Sequence, residues 1–232
     1  MPTESSYPKL DIPNVDLWAF LFERKDREFP DDKGMSLLLC SQPTGPFFNC
    51  AALSRPATCQ HNANHPAKIV IYTDPDTSRS YTYAQVRSTA LDFGKGLKAL
   101  WDWKKGDVLA LYTPNSIDIP PIIWGTHWAG GIISPANPGY NVEELAFQLK
   151  DSGAKALATQ KPFLENARKA CKQVGIEEDR IILLGDQRDE TAHFKHFLNV
   201  RNISGASRYR RSKVDPKKDL AFLVYSSGTT GE

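Results

Sequence analysis

Residues 106–159 read GDVLALYTPNSIDIPPIIWGTHWAGGIISPANPGYNVEELAFQLKDSGAKALAT. VLALY (108–112) is an unbroken apolar run of strand length, as expected of a strand covered on both faces. A helix is expected after Asn115–Ser116, with Pro120 and Pro121 tolerated only near its first turn, where a backbone N–H is not needed. GGIISPANP (130–138) reads as a short strand with a Gly-rich entry, and its PANP end as a turn. NVEE (141–144) is a capping box with Asn in place of Ser or Thr, and the helix it opens closes at Gly153. KALAT (155–159) is the next strand. Strand and helix alternating through short connections predict an α/β fold, a mostly parallel sheet flanked by helices on both faces.

The same alternation continues towards the C-terminus. PFLENARKACKQVG (162–175) is a helix with Pro162 near its start and Gly175 at the C′ position, and RIILLG (180–185) is a strand. Residues 186–217 are polar and aperiodic and read as a connector to a last strand, DLAFLVY (219–225). Weak cohesion is expected over 186–232 because that strand lacks following partners. On the N-terminal side, Val70–Thr73 is a short strand, DPDTSRS (74–80) a turn, and TYAQ (82–85) a capping box. It opens a helix whose apolar side is Val86, Ala90, Leu91, Phe93, Leu97 and Leu100. NVDLWAFLFERK (14–25) also has helical spacing, with Asn14 able to cap it.

Residues 34–69 break the pattern. They hold no acidic residue, are interrupted by prolines, and show neither helical nor strand periodicity. A structureless stretch of that length inside a compact domain argues against its belonging there. It reads as translated intron: Gly34-Met35-Ser36 and Ala63-Asn64 can be encoded with splice-donor and branch-point sequences, and joining Lys33 to Val70 restores strand, turn, strand and helix. Transcript sequencing with these codons retained in the major message would reject that reading. The expected organisation is an N-terminal helical segment (1–33), an unstructured insert (34–69) and a truncated domain (70–232).

Bulk properties exclude several classes. The chain has 232 residues, a formal net charge of +2 and four cysteines. That charge offers no field for nucleic acid. The basic run Arg208–Lys218, broken by Asp215 and Pro216, reads as a solvated connector. No stretch approaches the roughly 20 apolar residues of a membrane span, and no secretory signal opens the chain. Cytoplasmic residence is therefore expected. Cys59, His61 and His65 in CQHNANH raise a zinc site, but zinc ligands of this kind pair as C-x₂₋₄-C and no such pair occurs, so no metal site is expected. His127, mid-helix between Trp124 and Trp128, reads as a packed structural histidine. His193 and His196 read as surface residues of the connector, and Trp101, Trp103, Trp124 and Trp128 as core packing.

The last strand empties into Ser226, Ser227, Gly228, Thr229, Thr230 and Gly231. Glycines permit close backbone approach to a ligand, successive N–H groups make an anion-binding concavity, and hydroxyls add donors for phosphate oxygens. The loop is not a Walker A loop, because no G-K-[ST] follows. LVYSSGTTG (223–231) resembles the phosphate loop of the adenylate-forming superfamily, which includes acyl-CoA synthetases, 4-coumarate–CoA ligase-like enzymes, luciferases and adenylation domains. YTYAQV (81–86) and residues 106–159 follow that superfamily's N-terminal region in order, in the style of fungal 4-coumarate–CoA ligase-like acyl-CoA synthetases.

The resemblance implies adenylation of a small-molecule carboxylic acid by Mg²⁺-ATP, then thioester formation with coenzyme A. Ser226, Ser227, Gly228, Thr229, Thr230 and Gly231 would hold the β- and γ-phosphates. In the family the loop continues through Pro and Lys, whereas here Glu232 stands after Gly231. The catalytic groups, acyl pocket and Mg²⁺-associated Glu of the family lie beyond the matching region. No catalytic residue is therefore expected within this chain, which should be inactive alone. A peroxisomal address is the alternative location for a longer parent. A silent nucleotide-binding or interaction fragment, and an adenylation domain feeding a carrier protein, are the alternative functions.

Overall fold

A computed structural model describes residues 13–24, 69–200 and 203–225. The suspected insert, apart from Ile69, lies outside the described residues, as does the loop 226–231.

The strands form a parallel sheet of five in the order β4-β3-β5-β6-β7, where β3 is Val108–Tyr112, β4 Ile132–Ala136, β5 Ala154–Gln160, β6 Ile181–Leu184 and β7 Lys195–His196. The register aligns Leu109 with Ile133 and with Ala156, and Leu157 with Ile181. A separate antiparallel pair, β1 (Val70–Thr73) and β2 (Ser80–Thr82), precedes it.

Every residue of β3 and β6 is buried, as unbroken apolar runs require when helices cover both faces. Alternate side chains feed opposite layers. Leu109, Leu111, Ala156, Ala158, Ile182 and Leu184 pack with α2 (Tyr83–Trp101) and α3 (Ile119–Trp128), and α1 (Leu17–Phe22) adds Trp18 and Phe22. Val108, Ala110, Tyr112, Leu157, Ile181 and Leu183 pack with α4 (Val142–Asp151) and α5 (Leu164–Val174). The α/β class and the helices on both faces are as the sequence predicts.

The helix starts carry their expected chemistry. In both capping boxes, the Thr82 or Asn141 side chain accepts from the N3 amide while Gln85 or Glu144 reaches back to the cap N–H. Gly153 and Gly175 have positive φ, 66° and 76°, at the ends of α4 and α5. The α2–α3 contact depends on close approach, since a Cβ on Gly94 would lie 2.5 Å from the Gly125 carbonyl oxygen.

Four expectations need correction. α1 is capped by Asp16, whose carboxylate accepts from the Ala19 amide (2.9 Å), not by Asn14, and its helix covers only Leu17–Phe22. α3 starts after Asp118 rather than after Ser116. Residues 186–217 are more than a connector: β7 and α6 (Phe197–Val200) lie there, with Phe194, Phe197 and Val200 buried. DLAFLVY is reduced to a single parallel bridge between Phe222 and Ile133.

Candidate functional site

The segment leading to the Ser/Thr/Gly loop is positioned by the free edge of β4. Ile133 donates to the Ala221 carbonyl (3.0 Å), and Leu223 donates to the Ile133 carbonyl (2.9 Å). This parallel pairing sets residues 221–223 beside β4 in the direction of the other sheet strands. Leu223 packs into the α4–α5 layer, while Phe222 meets the His127 ring edge-on, with centroids 5.0 Å apart. Tyr225 donates to Asp151 in the last turn of α4 (2.5 Å), and burial followed by that bond pushes its phenol up to about 12. Ser226–Gly231 follow directly in the chain and lie outside the described residues.

Residues 203–219 are tied down at successive points. Lys98 Nζ donates to the Arg210 carbonyl (2.8 Å), and Arg211 bonds both oxygens of Asp16 (2.7 Å each) and pairs with Glu23 (3.1 Å). Ser212 bonds the carbonyls of Trp128 and Ala129, and Lys105 pairs with Asp219 at 2.7 Å. Arg211 in the basic run is therefore an internal clamp rather than a solvated charge.

Connections from adjacent strands part at the carboxyl end of the sheet: β3 runs into α3 on one face and β5 into α5 on the other. Ligands of open parallel sheets bind in the crevice outside such a switch point. Here Thr159 Oγ1 donates to the Tyr112 carbonyl (2.7 Å) and the Tyr112 hydroxyl to the Tyr140 carbonyl (2.7 Å). Of the expected PANP turn (135–138), Pro135 and Ala136 end β4 and the turn begins at Asn137, which accepts from the Gly139 amide (2.9 Å).

A further group at this end escaped the sequence reading. Asp118 is fully buried and accepts from Arg79 through both oxygens (3.2 and 3.0 Å), from the Tyr81 hydroxyl (3.0 Å) and from the Gly185 amide (2.9 Å). Arg79 also pairs with Asp186 (2.6 Å). The carboxylate joins β2, α3 and the end of β6. Its signal was an Asp two residues before a Pro, the pattern of a helix N-terminus.

His127 is buried as expected. Its Nδ1 bonds the Gly131 carbonyl (3.2 Å), and burial lowers its pKa, so the ring is held neutral. His193 sits on the surface against Glu178 (2.8 Å). His196 corrects the expectation: it is 2% exposed, its Nε2–H donates to the Gly185 carbonyl (2.8 Å), and burial lowers its pKa. Trp103 and Trp128 are core, with Trp101 and Trp124 packed against it. Cys59, His61 and His65 lie outside the described residues. Among the described residues no three His, Cys, Asp or Glu side chains come together as metal ligands, and no helix is long and apolar enough to cross a membrane.

Comparison with known proteins supplies the context for this scaffold. The family described as AMP-binding enzyme matches residues 59–232. A probable 4-coumarate–CoA ligase of Dictyostelium discoideum is 32% identical over 183 residues, 74% of this chain and 33% of that protein. An acyl-CoA ligase of Aspergillus niger is 31% identical over 168 residues, 69% of this chain and 31% of its own length. The crystal structure of a long-chain-fatty-acid–CoA ligase from Archaeoglobus fulgidus superposes with a TM-score of 0.56 at 26% identity, covering 66% of this chain and 29% of that one. The chain thus spans about a third of the length of the curated relatives it matches.

Proposed function

This chain belongs to the AMP-binding enzyme family, and on that footing we propose that it is the phosphate-loop-bearing part of an acid–thiol ligase. Such a ligase joins a carboxylic acid to the α-phosphate of ATP, releases pyrophosphate, and passes the acyl group to coenzyme A. The observation that carries the proposal is the anchoring of residues 221–223 on β4 immediately ahead of Ser226–Gly231. A loop that holds phosphates must be aimed by a rigid base, because preorganised donors act only where they are fixed.

In this reading the amides and hydroxyls of Ser226, Ser227, Gly228, Thr229, Thr230 and Gly231 hold the β- and γ-phosphate oxygens. They orient and screen the departing pyrophosphate and form no covalent bond to it. Magnesium would neutralise phosphate charge in such a reaction, and the described residues include no ligand cluster for it. His127 is a packing residue and not a base: its ring is buried, its Nδ1 bonds the Gly131 carbonyl, and Phe222 meets it edge-on. The 4-coumarate-like subtype is supported by relatives about 30% identical, alongside long-chain-fatty-acid–CoA ligases at 29%, so the reading extends to an aryl or acyl acid without choosing between them.

The chain on its own is proposed to bind Mg-ATP without turning it over. Equilibrium dialysis with labelled ATP should show binding that Gly228→Val and Gly231→Val weaken, because a side chain there obstructs backbone approach to phosphate. Carboxylate-dependent ATP–pyrophosphate exchange should be absent. Binding unchanged in both variants would reject the loop assignment, and robust exchange would reject the inactivity.

A further inference from the structure

At the amino ends of β3 and β4 the structure holds a cavity of about 610 Å³. It is walled on one side by the residues around α1 and on the other by residues 214–221. The volume lies within the roughly 300–1,000 Å³ typical of small-molecule sites. Most of the lining is apolar, with Leu17, Trp18, Ile132, Val214 and Leu220 contributing. Such a surface favours hydrocarbon.

The charged residues around it are not balanced. Asp16 is taken by Arg211 at 2.7 Å and Asp219 by Lys105 at 2.7 Å. Lys217 and Lys218 also line the cavity, are exposed, and make no ion pair among the described residues. Lys218 acts on Asp219 only through its field, in a carboxylate that Lys105 already occupies. An apolar chamber lined on one side by two lysines outside any ion pair of the described residues complements a ligand with a hydrocarbon body and a single anionic end.

We propose that this cavity binds a small amphipathic monocarboxylate, with its hydrocarbon against Trp18, Ile132 and Val214 and its carboxylate at Lys217 and Lys218. The inference does not depend on the phosphate-loop assignment. Asp219, Leu220 and Ala221 line the cavity, and Ala221 is itself bonded to Ile133 of β4. An occupant therefore braces the base of the segment that leads to residue 226.

Calorimetric titration of the full 232-residue chain with octanoate below its micellar concentration, beside octan-1-ol and octylamine, tests this. Octanoate should bind saturably, with octanol at least about threefold weaker and octylammonium weaker still. The double variant Lys217→Gln/Lys218→Gln should lose about threefold to tenfold in octanoate affinity and none for octanol. Val214→Trp, which fills the chamber, should abolish binding of both. Leu220→Trp at an exposed lining position does the same if Val214→Trp fails to fold by circular dichroism. Absence of saturable octanoate binding overturns the proposal. So does octanol binding as tightly as octanoate, octanoate affinity unchanged in the lysine variant, or unchanged binding in a folded cavity-filling variant.

Discussion

Replacing Asp118 with alanine should be among the most destabilising single changes in this chain. The carboxylate is completely buried and accepts from Arg79 twice, from the Tyr81 hydroxyl and from the Gly185 amide, at 2.9–3.2 Å. Removing one partner of a buried pair costs about 3–5 kcal/mol, because the other charge stays uncompensated. Arg79 softens this, since its side chain is 30% exposed and it keeps Asp186 at 2.6 Å. The Gly185 amide, left without its acceptor, adds about 1–3 kcal/mol. The net expectation is a loss of about 3–4 kcal/mol. Asp118→Asn keeps an acceptor of nearly the same shape and should lose only about 1–2 kcal/mol. Urea titration followed by tryptophan fluorescence measures both, with the slope checked for constancy. The double variant Arg79→Ala/Asp118→Ala should be less damaging than the sum of the single changes, with a coupling above about 1 kcal/mol. An alanine variant within about 0.5 kcal/mol of the parent, or strict additivity, would show that the hub does not hold β2 to the sheet.

Gly96→Ala should cost about 1–3 kcal/mol by the same titration, because its Cβ would lie 1.9 Å from the Val200 carbonyl oxygen and backbone must move. Retained stability would mean that α6 shifts freely against α2. Thr82→Ala removes the acceptor for the Gln85 amide (3.2 Å) and should cost about 1 kcal/mol, whereas Thr82→Ser should cost less than half of that. Stability should fall with pH on the acid side of neutrality through His127 and His196. Burial lowers both from their ordinary value of 6.5, so the unfolded chain takes up the protons first. Their contribution is whole above about pH 6.5 and is lost as pH falls through the lower folded values. Urea midpoints from about pH 8 to pH 5 should decline, and His196→Gln should flatten the decline; an unchanged slope would remove His196 from the account.

The regular elements between residues 70 and 185 were legible because each carries a local signal. VLALY and IILL have the continuous apolarity of strands covered twice, and TYAQ and NVEE carry both halves of a capping box. Beyond Gly185 the signals weaken. FKHFLNV (194–200) has too few residues to show a period, yet Phe197 and Val200 are wholly buried, because Gly96 of α2 lets Val200 approach closely and Phe93 meets Phe197 edge-on. His196 looked like a surface residue for the same reason, and its burial depends on a carbonyl eleven positions earlier in the chain, at Gly185.

Residue types and their order were enough to establish an alternating parallel α/β domain and the capping boxes at Thr82 and Asn141, since these rest on interactions within a few residues. The rest needed three dimensions. Arg79 and Asp118 are 39 positions apart, and Arg211 and Asp16 are 195 apart. Ile133 holds the base of the loop through bonds to Ala221 and Leu223. A polar residue read along the chain has no partner until folding supplies one. Burial of a charge, the neutrality of a histidine and the filling of a sheet edge are therefore properties of the assembled layers, not of any stretch of sequence.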